Sequence, residues 1–237
     1  MIRHPVMRWD VPGPYAVGFT TRDGGVSEGA FRSLNLGLMT DDRPEHVHEN
    51  RRRAVVALDG QPDALALNRQ VHGAGVVRAR AGSRGERTGD VLWTEERGLP
   101  VGALTADCVP IALVRVAGSR PALAVVHAGW RGLLAGVVPA AVAALGGTVA
   151  AAVGPAIGPC CYELGEDVAG PLRAAFGLGV VRDGKGDLPL AAERALRAAG
   201  VARVDRLGSC TACDGRFFSH RRDAGVTGRQ GVLGLLG

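Results

Sequence analysis

Along the chain, apolar positions come mostly in short runs rich in β-branched residues, separated by glycine, proline and polar turns. Runs of that length and composition read as strands. They predict strands over residues 15–20, 64–68, 75–79, 91–94, 101–104, 111–116, 121–126, 148–153, 203–207 and 229–236. Helix signals are fewer. Asp41-Asp42 followed by Pro44 gives an acidic cap with proline in the first turn, so a helix is predicted from there to about Leu58, before Gly60. Helices are also predicted over residues 133–145, 166–176 and 189–199, with Pro139 either kinking the first of these or marking a later start. Residues 81–89 and 154–165 read as glycine-rich loops, and residues 22–27, with Gly24-Gly25, as a turn.

Residues 132–161 carry no charge at all, long enough to raise the question of a membrane span. Gly136, Pro139, Gly146, Gly147, Gly154 and Pro155 interrupt the stretch, so a buried helix followed by a buried strand is the better reading. With no internal repeat or linker, the 237 residues are expected to form one catalytic domain, 1–237. The charge of +5 does not indicate nucleic acid, because Lys185 is the only lysine and the arginines are scattered. The dense cluster Arg51-Arg52-Arg53 falls on a predicted helix and reads as a solvated face. No signal peptide is visible, and five cysteines do not make a disulfide framework, so a reducing cytoplasm is expected.

Three of the apolar runs end in metal-ligating residues: His72, Cys108 and His127. Three such ligands at strand ends can hold one zinc with a fourth position left open, the catalytic pattern. Each residue alone also suits a structural role. Cys108 with His127 or His72 as base would instead make a cysteine hydrolase. Asp107 is a candidate general acid/base or an orienting partner for a ligand. Arg131, one glycine turn and a tryptophan beyond His127, could clamp an anion or form a surface salt bridge. Trp130 could stack on an aromatic substrate or belong to the core. Asn35, set between two leucines, could face a ligand or bond its own backbone. Cys210 and Cys213 form a Cys-x-x-Cys without a second such pair, for which a packing role is expected; Cys160-Cys161 are adjacent, poor geometry for one metal, and are expected as buried thiols.

Gln70-Val71-His72, Thr105 to Pro110 (Thr-Ala-Asp-Cys-Val-Pro) and His127 to Gly132 (His-Ala-Gly-Trp-Arg-Gly) resemble the bacterial laccase-like polyphenol oxidoreductases, also described as purine nucleoside phosphorylases. Thr21-Arg22, Ser33 to Gly37, Gly154-Pro155, Cys161-Tyr162-Glu163 and Phe218-Ser219 with Arg221-Arg222 extend the resemblance over nearly the whole chain. It implies an α+β fold, a single domain of mixed β-sheets sandwiched by helices, similar to the deamidase domain of cytotoxic necrotizing factor toxins. It also implies zinc on His72, Cys108 and His127. The implied activity is phosphorolysis of adenosine, inosine and methylthioadenosine, with adenosine deamination as a second activity. Catalytic roles are then expected for Asp107 and Arg131, and substrate contacts for Asn35, Gln70 and Arg131. Purine nucleosides and phosphate are the expected partners, with no nucleic acid or membrane, and a monomer is expected. Copper as the metal and phenol oxidation as the reaction form the alternative; they fit less well, because multicopper electron transfer needs several metal sites.

Overall fold

Along the longest apolar runs successive residues are buried in alternate cores, and that alternation sorts the chain into layers. The computed structural model describes residues 5–81, 83–118 and 120–237. In chain order its elements are β1 (Val6–Arg8), β2 (Tyr15–Thr20), α1 (Pro44–Val56), β3 (Ala66–Arg69), β4 (Val76–Arg78), β5 (Arg84–Thr88), β6 (Val91–Thr94), β7 (Val101–Thr105), β8 (Val109–Ala117), β9 (Leu123–Ala128), α2 (Trp130–Leu134), α3 (Val137–Leu145), β10 (Thr148–Val153), α4 (Glu166–Phe176), β11 (Val181–Arg182), β12 (Lys185–Gly186), α5 (Leu188–Ala198), β13 (Arg203–Arg206) and β14 (Gln230–Leu236). One six-stranded sheet has the order β1-β2-β14-β7-β3-β5 and the other β13-β10-β8-β9-β6-β4; β11 and β12 pair separately.

On β8, Ile111 and Leu113 join a core under α3, α4 and α5, whereas Ala112 and Val114 face the first sheet. On β9, Ala124 and Val126 point to the helices, and Leu123 and Val125 point between the sheets. Strands buried on both faces read as unbroken apolar runs. The inter-sheet core pairs Phe19, Val101 and Val232 with Val114, Leu123 and Val125. On the far face of the first sheet, Leu67, Leu233 and Leu235 pack against Val55 and Leu58 around α1. Fully burying each such side chain contributes about 1.5–3 kcal/mol. The result is the expected sandwich, with mixed sheets between helical layers.

Three local readings change. Residues 81–89 contain β5, which pairs in parallel with β3 as an edge strand; an edge position does not demand an apolar sequence, so polarity concealed it. The predicted helix over residues 133–145 is two helices, broken at Gly136 with φ 83°, and Pro139 stands third in α3. In that first turn the missing N–H has no partner to lose. Asp42 does not cap α1, whose cap position is Arg43; its carboxylate accepts hydrogen bonds from Ser27 Oγ and Asn35 Nδ2. The uncharged stretch runs through α3 and β10, and no helix among the described residues is long and apolar enough to cross a membrane.

Strand direction then gathers the loops. β3, β5 and β7 run the same way in the first sheet, and each hands the chain to a strand of the second: β4, β6 and β8. β9 and β10 are antiparallel to β8 and finish where it starts, as does β13, which is parallel to β10. β14 starts at that end too, antiparallel to β7, and β2, antiparallel to β14, finishes there. One end of the sandwich therefore collects the segments that follow β2, β3, β5, β7, β9, β10 and β13.

Gly154, just past β10, closes the inter-sheet core at this end. A Cβ there would lie 2.1 Å from Cδ1 of the fully buried Phe19. Gly154→Ala is expected to lower stability by about 1–3 kcal/mol through overpacking. Urea unfolding checks this as a fall in midpoint at unchanged slope, and a wild-type midpoint would contradict this account of the packing.

Candidate metal centre

The gathered loops place three ligand-type side chains together. His72 lies in the turn from β3 to β4, Cys108 in the turn from β7 to β8, and His127 near the end of β9. Their ligand atoms all lie within 4.8 Å of one another. The two imidazoles meet edge to face, 4.6 Å between centroids. His127 is buried, Cys108 partly exposed and His72 open to solvent. The turns are tight: His72 has φ 61° and Asp107, beside Cys108, has φ 86°. Gly129 lets the ligands close, because a Cβ there would lie 2.9 Å from His72 Cδ2 and 3.1 Å from Cys108 Sγ. Two imidazoles and a thiolate on rigid strand ends fit one tetrahedral ion with a fourth position to spare.

The residue that arranges this trio is Asp90, which sequence reasoning missed. It stands in the crossing from β5 to β6 with a fully buried side chain. Its carboxylate accepts the backbone N–H groups of Val71, His72 and Gly73 at 3.2, 2.9 and 2.8 Å. It also meets His127 Nδ1 at 2.8 Å, which leaves Nε2 as the ligand nitrogen. Burial raises the Asp90 carboxyl, but His127 and these N–H groups outweigh it and lower the pKa. Burial opposes a charge on His127, yet Asp90 and Cys108 push its pKa up to about 9. Burial likewise raises the Cys108 thiol, and His127 and His72 pull it down to about 6. The thiolate needed for metal binding is thus favoured at neutral pH.

The other expected site residues divide. Gln70 bonds Leu104 through both ends of its amide, donating to the carbonyl at 2.7 Å and accepting from the N–H at 2.8 Å. It extends the pairing of β3 with β7 and ties the His72 turn to the strand that leads to Cys108. Asn35 is fully buried; its amide donates to Thr40 and Asp42 and accepts from Gly37 and Arg229 N–H. The Asn35 amide thus has both N–H donors and both lone pairs taken, whereas the Gln70 amide keeps one N–H and one lone pair. Asp107 accepts from Thr211 Oγ1 at 2.6 Å and from Arg221 N–H at 2.7 Å, so the orienting role considered for it belongs to Asp90. Arg131 is exposed, stacks 4.3 Å over the Trp130 ring and forms no ion pair among the described residues; Trp130 is half-buried against the helical core.

Three further groups surround the centre. The Tyr162 hydroxyl is raised first by burial, then by Cys108 and Asp107, and lowered by Arg221 and Arg131, so charges from three segments bear on one atom. Arg229, lowered first by burial, is supported by Cys108 and Asp107. The Phe218-Ser219 and Arg221-Arg222 motif was the available signal for this cationic side. A separate cavity of about 540 Å3 beside α1, lined by Glu45, His48, Glu49 and Arg52 among others, shares no residue with the centre.

The remaining cysteines correct the expectation of two unrelated, buried pairs. Cys160, Cys161, Cys210 and Cys213 have sulfurs within 4.8 Å of one another, and Cys160 and Cys213 are exposed. Burial and the neighbouring Cys213 and Cys210 thiols push Cys160 up to about 11. Burial also raises Cys210, but the backbone N–H groups of Gly158 and Cys213 outweigh it and lower the pKa.

Asp90→Asn keeps the shape of this support and removes its charge. The expected outcome is metal affinity lower by about 10- to 100-fold, read by competition with a chromogenic chelator; wild-type affinity would show that Asp90 does not tune the ligands.

The family described as multi-copper polyphenol oxidoreductase laccase matches residues 16–236. A protein of Pseudomonas aeruginosa named a purine nucleoside phosphorylase is 40% identical over 238 residues, 95% of each chain. One of Deinococcus radiodurans with that name is 42% identical over 229 residues, 92% of this chain and 88% of the relative. Among solved structures, YlmD of Geobacillus stearothermophilus superposes with a TM-score of 0.88 at 33% identity, covering 100% of this chain and 97% of the other. With the fold, the length and the sequence in agreement, this chain belongs to the laccase-like polyphenol oxidoreductase family, an enzyme family with members named purine nucleoside phosphorylases.

Proposed function

We propose that the chain is a zinc-dependent purine nucleoside phosphorylase that cleaves adenosine, inosine and methylthioadenosine with phosphate and deaminates adenosine as a second activity. The observation that carries this reading is Arg131: a guanidinium four residues beyond His127 that has no ion pair among the described residues and whose charge bears on Tyr162 together with that of Cys108. Phosphorolysis needs an anion held against the anomeric carbon while the purine leaves through a cationic, oxocarbenium-like state. A guanidinium fork matches two phosphate oxygens. Arg221 and Arg229 add positive field on the same side, where Tyr162 and Cys108 sense them. A zinc on His72, Cys108 and His127 would supply a Lewis acid for an oxygen ligand, or an activated water for deamination. In this reading Asp107 positions the Arg221 segment against the Cys108 turn, Asn35 supports the frame with its amide fully engaged, and Gln70 ties the strands while keeping one N–H for a substrate contact.

A second reading has an observation of its own. Cys108, His127 and Asp90 stand in the order nucleophile, base and orienting carboxylate. A hydrolase of that kind works without metal. Copper-dependent phenol oxidation has less support: it calls for several imidazole-rich copper centres, and among the described residues His72 and His127 are the imidazoles gathered in a metal-type cluster.

Incubating the purified protein with inosine separates these readings. Hypoxanthine release should require phosphate, yield ribose 1-phosphate and stop on chelation. Phosphate-independent release of ribose, or no cleavage at any phosphate concentration in the zinc-loaded protein, would reject the phosphorylase, and chelator-resistant turnover would reject its dependence on zinc. Arg131→Met should keep its zinc and weaken phosphate use by about 10- to 100-fold, the loss expected for a charged hydrogen-bonded contact. Adenosine deamination, which needs no phosphate, should fall less; equal losses in both reactions would remove Arg131 from the phosphate site.

A further inference from the structure

Outside the centre just described, the four remaining cysteines lie on two segments that strand pairing brings side by side. β10 and β13 are parallel, so the segments that leave them stay adjacent. Ala156 and Cys210 bridge in parallel, and Thr211 N–H donates to Ala156 O at 3.0 Å. Each cysteine pair sits on its own tight turn. Cys161 N–H and Tyr162 N–H bond Gly158 O, and Cys213 N–H and Asp214 N–H bond Cys210 O. The Cys213 sulfur is 3.4 Å from that of Cys160 and 3.3 Å from that of Cys161. Gly158 N–H donates to Cys210 Sγ at 3.2 Å, the hydrogen bond that a thiolate ligand calls for.

We infer that Cys160, Cys161, Cys210 and Cys213 form a second metal site, a closed tetrathiolate that holds one structural zinc ion. A tetrahedron with Zn–S bonds of about 2.3 Å has sulfur–sulfur edges of roughly 3.8 Å. The four sulfurs already lie within 4.8 Å of one another, so small side-chain rotations complete the set. Two alternatives fit less well. A packing role is poor for sulfurs of which Cys160 and Cys213 are exposed. A disulfide would choose one pairing, whereas Cys213 approaches Cys160 and Cys161 equally. A cavity of about 170 Å3, lined in part by Gly158, Cys160, Cys210 and Arg206, opens beside the sulfurs and offers an access path. The ion has a definite structural task. Tyr162, which follows Cys161, and Thr211, which follows Cys210, both reach toward the first centre, Thr211 by donating to Asp107. A zinc between the two turns locks both segments against it. The inference does not depend on the phosphorylase reading.

Elemental analysis of the full-length protein, purified under reducing conditions, should give two zinc ions per chain. Cys160→Ser with Cys213→Ser should leave one, and His72→Ala with Cys108→Ala should leave one, so each site is counted by its own variant. Wild-type protein alone gives an independent reading if a variant fails to fold. Zinc added to metal-free, reduced protein should protect Cys160, Cys161, Cys210 and Cys213 together from alkylation, by at least 10-fold in rate as read by mass spectrometry. Unchanged alkylation, one zinc per chain that survives Cys160→Ser with Cys213→Ser, disulfides among the four in the zinc-loaded protein, or iron in place of zinc would each overturn the assignment.

Discussion

The Asp90 carboxylate is the constraint on which the rest of the centre depends. It is withdrawn from water and accepts three backbone N–H groups of one turn together with the imidazole of another strand. An unpaired buried carboxylate costs several kcal/mol. Hydrogen bonds to a charged group return about 1.5–3 kcal/mol each. The balance favours burial only while the set of donors is complete, so the geometry is close to all-or-none. The left-handed backbone of His72 is held in this way: the turn that presents the imidazole is also the turn that supplies the donors.

Topology determines where such a carboxylate can act. The ligands come from both sheets, His72 from a crossing between them and Cys108 from another, with His127 on the second sheet. Their separation is therefore set by the thickness of the inter-sheet core. Close packing makes that thickness stiff. Gly234, which a Cβ would drive to 2.7 Å from Leu123, and Gly154 against Phe19 show how little space remains. A third crossing, from β5 to β6, places Asp90, whose backbone carbonyl accepts His127 N–H at 2.8 Å, beside both the His72 turn and the strand that carries His127.

That His72, Cys108 and His127 meet was legible because chemistry and pattern coincided: each residue ends an apolar run, and few residue types ligate metal. Asp90 was not legible, since Gly89-Asp90 before a strand looks like any turn and its meaning arises from pairing across the sheets. Asn35 and Gln70 show how one pattern carries two meanings. A polar side chain among apolar ones suggests a ligand contact, yet the same signature satisfies backbone groups that burial has stranded. The strands of the interior were readable from their composition, whereas β5 lies at an edge where composition is free. The Cys-x-x-Cys seemed solitary because its partner pair lies about fifty residues upstream, and only the parallel pairing of β10 with β13 reveals it.

The centre thus has two unlike halves. Strand ends and Asp90 define the ligand side. The opposite side is built from the segments after β10 and β13, and its cations, Arg221 and Arg229, stand on chain without regular structure. Hydrogen bonds substitute for a ladder there: Arg222 donates to Thr211 O and Phe217 O, and the Gln230 amide bonds Phe218 at both its N–H and its carbonyl. Asp107 joins the halves, because it adjoins Cys108 in sequence and binds Thr211 and Arg221 in space. Loops secured by side chains can change residue by residue without disturbing the sheets. The cluster of His72, Cys108 and His127 is thus fixed by the fold and the cationic side by side chains, so the second can vary while the strand ends keep the first in place.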